Sequence, residues 1–411
     1  MRTRPRHLGL IALMGSLTAI GPMAIDMYLP AFPVLANHFH ATQSQVQLTL
    51  TACLAGISLG QLLVGPVSDA LGRRRPLVVG VVAYTVASLA CSIAPSIYAL
   101  VGLRLAQGLG GAAGMVIARA VVRDLFEGVA LARAFSLLML VTQVAPVVAP
   151  VLGSQLLRVT SWPGLFLVLA GYGLVLLLGV VFAARETLPR GLRRTGGLAD
   201  SLRTFRALAA ERAFIGYAIS GGLAFAAMFA YISGSSFVLQ DIYRVSAQWY
   251  GVIFAVNATG LILANLVNSL LVGRLGPRRM LVGALLLNLA AGVGVLVATA
   301  EPGHHLALLL PPLFLVVASV GFVAPNTTAL ALANHPREAG TAAALLGMLQ
   351  FVIGAAAAPL VGLGGARTAV PMGMVIAGLG MLANAVFWSL CHGDRPAAAQ
   401  RGTLAGAEVA Q

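Results

Sequence analysis

The chain is broken into apolar runs long enough to cross a bilayer, and no other feature limits its fold so strongly. A helix needs about 20 apolar residues to span the hydrocarbon core. Twelve stretches meet that length, at roughly 8–34, 46–67, 76–94, 96–118, 131–157, 162–184, 213–237, 247–272, 279–299, 305–329, 339–364 and 369–391. They do not alternate at period two over about ten residues, as barrel strands would. Only 9% of the 411 residues are charged, against about 25% in a soluble domain. So little charge cannot coat a water-soluble globule. The expected fold class is an all-α polytopic membrane protein of twelve transmembrane helices.

The arginines orient the spans. All 26 basic residues are Arg. Cytoplasmic loops carry an excess of positive charge. With both termini in the cytoplasm, all but four of the 26 fall in cytoplasmic segments. Arg158, Arg244 and Arg367 lie outside, and Arg104 lies within a span. The net charge of +14 therefore follows topology, and no nucleic-acid partner is implied. Arg2, Arg4 and Arg6 before an apolar run also fit a signal peptide, but the run is long and its cleavage chemistry poor. An uncleaved first helix is the reading here.

The longest gap, Arg185 to Arg212, is basic and Gly-containing ("RETLPRGLRRTGG") and splits the spans six and six. The expected organisation is a bundle over 1–184, a cytoplasmic linker over 185–212, a second bundle over 213–392 and a disordered cytoplasmic tail over 393–411. A weak repeat supports it: "GPVSDALGRRRPL" follows the second span and "VGRLGPRRML" the eighth. Parallel six-helix halves, each with nested inverted repeats, are a recurrent carrier plan. Cys53, Cys91 and Cys391 have neither metal-ligand nor disulfide spacing and read as small buried hydrophobes. No metal or other cofactor is implied.

"GPVSDALGRRR" resembles the signature between helices two and three of the major facilitator superfamily. The resemblance implies that Asp69 pairs across the cytoplasmic face and helps lock an outward-facing state. Gly65 and Gly72 would keep the turn tight, and Arg73 with its neighbours would anchor it at the inner leaflet. "LRLAQGLGGAAG" resembles the fourth-helix motif, which singles out Arg104, Gln107 and Gly108. "QVAPVVAPVLGS" resembles a variant of the fifth-helix antiporter motif through Pro146, Pro150 and Gly153, with Ala149 and Ser154 departing from the common glycines. "AIDMYLPAFP", "RAVVRDLF" and "ARETLP" together resemble the bicyclomycin/chloramphenicol-resistance (Bcr/CflA) branch of twelve-helix drug:proton antiporters.

Asp26 is the one acidic residue placed well inside a span, and Arg104 the one basic residue. At about 1.5 Å per residue, Arg104 lies about 12 Å and Asp26 about 16 Å below the outer ends of their helices. Similar depths let both face one central cavity. Burial favours a neutral carboxyl and a neighbouring Arg favours an ionised one, so an Asp between these influences can take and release a proton. A purely structural Asp–Arg pair is the alternative. Pro22 and Pro30 would interrupt the helix around the site, a familiar carrier device. Tyr28, Phe32, Asn257 and Asn326 are candidate substrate contacts, although core packing or interhelical bonding explains such residues more often. Phe225, Phe229, Tyr231 and Phe254 are open to the same two readings.

The expected function is export of hydrophobic or amphipathic drugs across the inner membrane in exchange for protons, by a monomer embedded in the lipid bilayer. A proton-coupled carrier of one metabolite is the alternative. An enzyme is not expected, because the chain has no Walker loop, HExxH or His cluster.

Overall fold

The computed structural model describes residues 5–189, 191, 193, 198–303, 305–333, 335, 339–365 and 368–392. The tail expected over 393–411 lies outside the described residues, as do Arg2, Arg4, Arg190, Arg194, Arg337 and Arg367. The described chain is helical and has no strand. The helices before the linker are α1 (Pro5–Thr18), α2 (Ile20–Asp26), α3 (Phe32–His38), α4 (Gln43–Leu71), α5 (Arg74–Cys91), α6 (Ile97–Leu125), α7 (Gly128–Leu156) and α8 (Trp162–Ala183). Then come α9 (Leu198–Ala210), α10 (Arg212–Phe237), α11 (Ala247–Leu275), α12 (Pro277–Ala300), α13 (Leu306–Leu332), α14 (Ala339–Ala357) and α15 (Val370–Cys391). Eleven helices are long and apolar enough to cross a membrane, and the first span, bent by 40° between Thr18 and Ile20, makes a twelfth.

Prolines set the breaks. Pro22 sits in the first turn of α2, where a helix needs no N–H from it. Pro30 lies in the 3-10 turn Leu29–Ala31 and Pro33 opens α3. The Asp26 and Leu29 carbonyls therefore face prolines four residues on and lack their usual helical donors.

One end of the molecule carries the α4–α5 turn with Arg73, Arg74 and Arg75 and is called the arginine-rich end. The N half, up to the linker, packs α4 on α6, α5 on α6 and α8, and α1 on α7. The C half packs α10 on α13, α14 and α15, and α12 on α13 and α15. The halves meet through α7 against α11 and α4 against α14. Side-chain bonds between them gather at the arginine-poor end: Gln47 to the Ser233 carbonyl (3.2 Å), Thr51 to Ala355 (3.0 Å) and Gln248 to Ser154 (3.2 Å). One apolar core runs through both halves there, with Phe32 and Phe237 ring to ring at 5.8 Å. A second core, around Phe214, Leu281 and Phe387, belongs to the C half alone.

The linker holds a helix that hydropathy passes over. Along α9, Phe205 and Leu208 recur at helical spacing and pack on the C-half core, Leu208 being buried.

Candidate transport site

Asp26 ends α2 where the first span unwinds. It is 4% exposed, and no hydrogen bond or ion pair reaches its carboxylate among the described residues. Neither oxygen is among the fully enclosed, unpartnered side-chain atoms, so the group keeps contact with open space. Three residues on, the turn Leu29–Ala31 packs on α10 and α11 of the C half. Tyr231 accepts a bond from Asn257 Nδ2 (2.7 Å), and its ring stacks on Phe254 at 5.8 Å. Asp26 therefore stands at the break of an N-half helix, just before a turn that meets the C half.

Arg104 does not share that place, which corrects the expectation of one cavity for both residues. Its guanidinium is fully buried inside the N half. It donates to Gln107 Oε1 and to the Ala24 carbonyl (2.8 Å), and lies 4.1 Å above the Tyr28 ring. Gln107 passes the chain on to Ser88 Oγ (2.7 Å). No carboxylate lies within ion-pairing distance of Arg104 among the described residues. Arg104 is thus a strut that fixes α2 two residues before Asp26. A Cβ on Gly108 would come 2.2 Å from the Cys53 carbonyl, so a residue without a side chain brings α6 this close to α4.

The signature turn is also built differently from its expectation. Arg73 is 3% exposed, not a lipid anchor. It bonds Asp69 Oδ1 (2.5 Å), Asp124 Oδ2 (3.0 Å) and Ser68 Oγ (2.8 Å). Asp69 thus pairs within its own half. Arg74 caps α8 instead, donating to the Val181 and Ala184 carbonyls (both 3.0 Å). Gly72, at φ +91°, takes the left-handed backbone the turn requires, and a Cβ there would meet Glu186 Oε2 at 2.4 Å. Gly65 lies inside α4 with open space around it and tightens nothing. Glu186 escaped sequence reasoning. It accepts the backbone N–H of Arg73 (2.8 Å), Arg74 (3.3 Å) and Leu188 (3.0 Å), and faces Arg193 at 3.8 Å. Burial pushes its carboxyl up, but these three N–H groups and the Arg193 charge outweigh it and hold it below the ordinary value.

In α7, Pro150 is buried and Pro146 half-buried. A Cβ on Gly153 would fall 1.8 Å from the Met27 carbonyl, so this glycine lets α7 grip the unwound span. The four candidate substrate contacts are packed away. Tyr28 is fully buried under Arg104 with its hydroxyl on Thr49 (3.1 Å), and Phe32 is sealed against Phe237. Asn257 bridges to Tyr231, and Asn326 donates to Asn268 Oδ1 (2.6 Å). The three cysteines are buried, and none forms a disulfide among the described residues.

A family model, the Major Facilitator Superfamily, matches residues 14–359. The chain belongs to that superfamily, a family of transporters and not of enzymes. It is 40% identical over 393 residues to the "Uncharacterized MFS-type transporter YdgK" of Bacillus subtilis, covering 94% of this chain and 96% of that one. It is 32% identical to the "Bicyclomycin resistance protein homolog" of Haemophilus influenzae, over 88% of this chain and 91% of the relative. That relative bears out the resemblance to the bicyclomycin/chloramphenicol-resistance branch. In fold the chain is similar to a bacterial homolog of the human lysosomal transporter Spinster in an inward-facing, occupied conformation. The TM-score is 0.75 at 16% identity, over 95% and 98% of the two chains.

Proposed function

We propose that this chain exports hydrophobic or amphipathic drugs across the bacterial inner membrane in exchange for protons, by alternating access, with its arginine-rich end in the cytoplasm. One observation carries the reading. Asp26 is a buried carboxylate with no partner among the described residues, beside an unwound turn where the halves meet. A carboxylate is costly at that depth when ionised and cheap when it holds a proton, so it asks for one. Had it been paired with Arg104, the proton would have had to compete with a fixed cation.

In this account Asp26 holds the proton while the site is dry. It releases the proton when the cytoplasmic side opens, and drug takes its place beside the broken first span. Arg104 takes no part in the exchange and positions α2. Asp69, Arg73 and Asp124 form the cytoplasmic gate. The halves meet at the arginine-poor end, so this state is closed to the outside. The relative's name, a bicyclomycin resistance protein homolog, supports a drug as the cargo.

The test is transport in proteoliposomes with an imposed proton gradient. Drug should be driven against its own gradient and should stop moving when a protonophore is added. Flux indifferent to the protonophore would overturn the reading, and movement of a single metabolite only would replace the cargo.

A further inference from the structure

We infer that Ser236 and Gln240 form a latch that shuts the arginine-poor side by holding the backbone carbonyls of the broken first span. This rests on the alternating-access reading above. Ser236 Oγ donates to the Leu29 carbonyl at 2.6 Å. Gln240 Nε2 donates to Ser236 Oγ at 2.8 Å and to the Pro30 carbonyl at 3.2 Å. Gln240, Ser236 and Leu29 therefore form a directed chain in which each bond polarises the next.

The sequence on both sides makes the latch possible. A carbonyl inside an intact helix already has its donor four residues on. Residue 33 is proline, so the Leu29 carbonyl lacks that donor and keeps a shorter-range bond from Phe32. It can accept a second donor from outside its own span. The donor comes from the other half: Ser236 is fully buried near the end of α10, and Gln240 lies in the π-helical turn Val238–Ile242. Such turns are rare and frequently lie at functional sites.

The chemistry also sets when the latch can open. In a dry site an abandoned carbonyl is expensive, so the halves part at this end only as water reaches the Leu29 and Pro30 carbonyls. Those residues follow Asp26 by three and four positions. Opening the latch therefore wets the proton site in the same movement.

The experiment measures distances between spin labels on Val159→Cys and Glu301→Cys, in a background where the three buried cysteines are Ala. Both positions are exposed, one in each half, just past α7 and α12 at the arginine-poor end. Gln240→Leu is the first variant, because Gln240 is only half-buried; Ser236→Ala is the second. Losing one such bond should raise the long-distance population about fivefold. The control is Ser235→Ala, whose hydroxyl bonds the Ile232 carbonyl and the C-half Tyr250, and it should match the parent. If Gln240→Leu also matches the parent, or if Ser235→Ala opens the molecule equally, the latch is wrong. The measurement uses neither drug nor proton gradient. A failed latch with proton exchange still lost in Asp26→Asn leaves the transport reading standing. An opened latch with normal exchange in Asp26→Asn overturns that reading alone.

Discussion

A charge in hydrocarbon costs roughly 2.5–3.5 kcal/mol by insertion scales, and this chain carries two deep ones that meet the cost differently. Arg104 surrounds itself with a carbonyl, an amide and an aromatic face. Asp26 takes no partner among the described residues. Opposite outcomes for mutation follow. Arg104→Ala strands the Ala24 carbonyl and the Gln107 amide, each worth about 1–3 kcal/mol when left unsatisfied, so the protein should melt well below the parent. Arg104→Lys keeps the charge but not the planar fork, and should fall between them. In both, the pH midpoint of drug-induced proton release should stay where it is; a moved midpoint would restore the electrical link that the geometry removes. Sequence alone singled out both residues, because a lone charge in an apolar run is legible. Their separation was not. Depth along two helices gives height, about 12 and 16 Å at 1.5 Å per residue, but not the direction around each axis. The same gap hid the burial of Arg73 beneath Asp69 and Asp124.

At the scale of elements, the first span is the broken one and its neighbours are shaped to it. Gly153→Val would push a branched side chain into the Met27 carbonyl. We expect it to insert and fold but to lose most transport, since α7 could no longer close on the break; transport at the parental rate would show the contact is incidental. Glu186 ties the linker to the signature turn, and its ionised form makes the tie. Its carboxyl is held below the ordinary value of 4.5. The stabilisation is therefore complete above 4.5, and is lost as pH falls through the lowered folded value. Glu186→Gln should lower stability by about 1 kcal/mol at neutral pH, and the difference from the parent should vanish in acid. A difference that persists in acid would mean that packing, not the charge, is what counts. Pro22 and Pro30 made the break readable, and Gly72 the turn. Glu186, Ser236 and Gln240 were not readable, because a Glu after a span and polar residues near a helix end look the same whether or not another segment meets them. Helix α9 was missed because its apolar residues serve a flank of the C half and never amount to a span.

The whole molecule was the most legible of the three scales. Apolar runs of bilayer length foretold the all-helical class, and the first span passes only as a bent pair. What no run of residues announces is which end is shut. That depends on contacts between halves far apart in sequence, such as Thr51 with Ala355 and Ser236 with Leu29. In this state those contacts close the arginine-poor end above an unpartnered carboxylate. In the proposed exchange the proton on Asp26 leaves when drug arrives. The most direct test is proton release into weakly buffered detergent solution as drug is added to purified protein. The parent should release protons in a pH-dependent way, and Asp26→Asn, folded and as stable as the parent, should release none. Equal release from the two proteins would contradict the account.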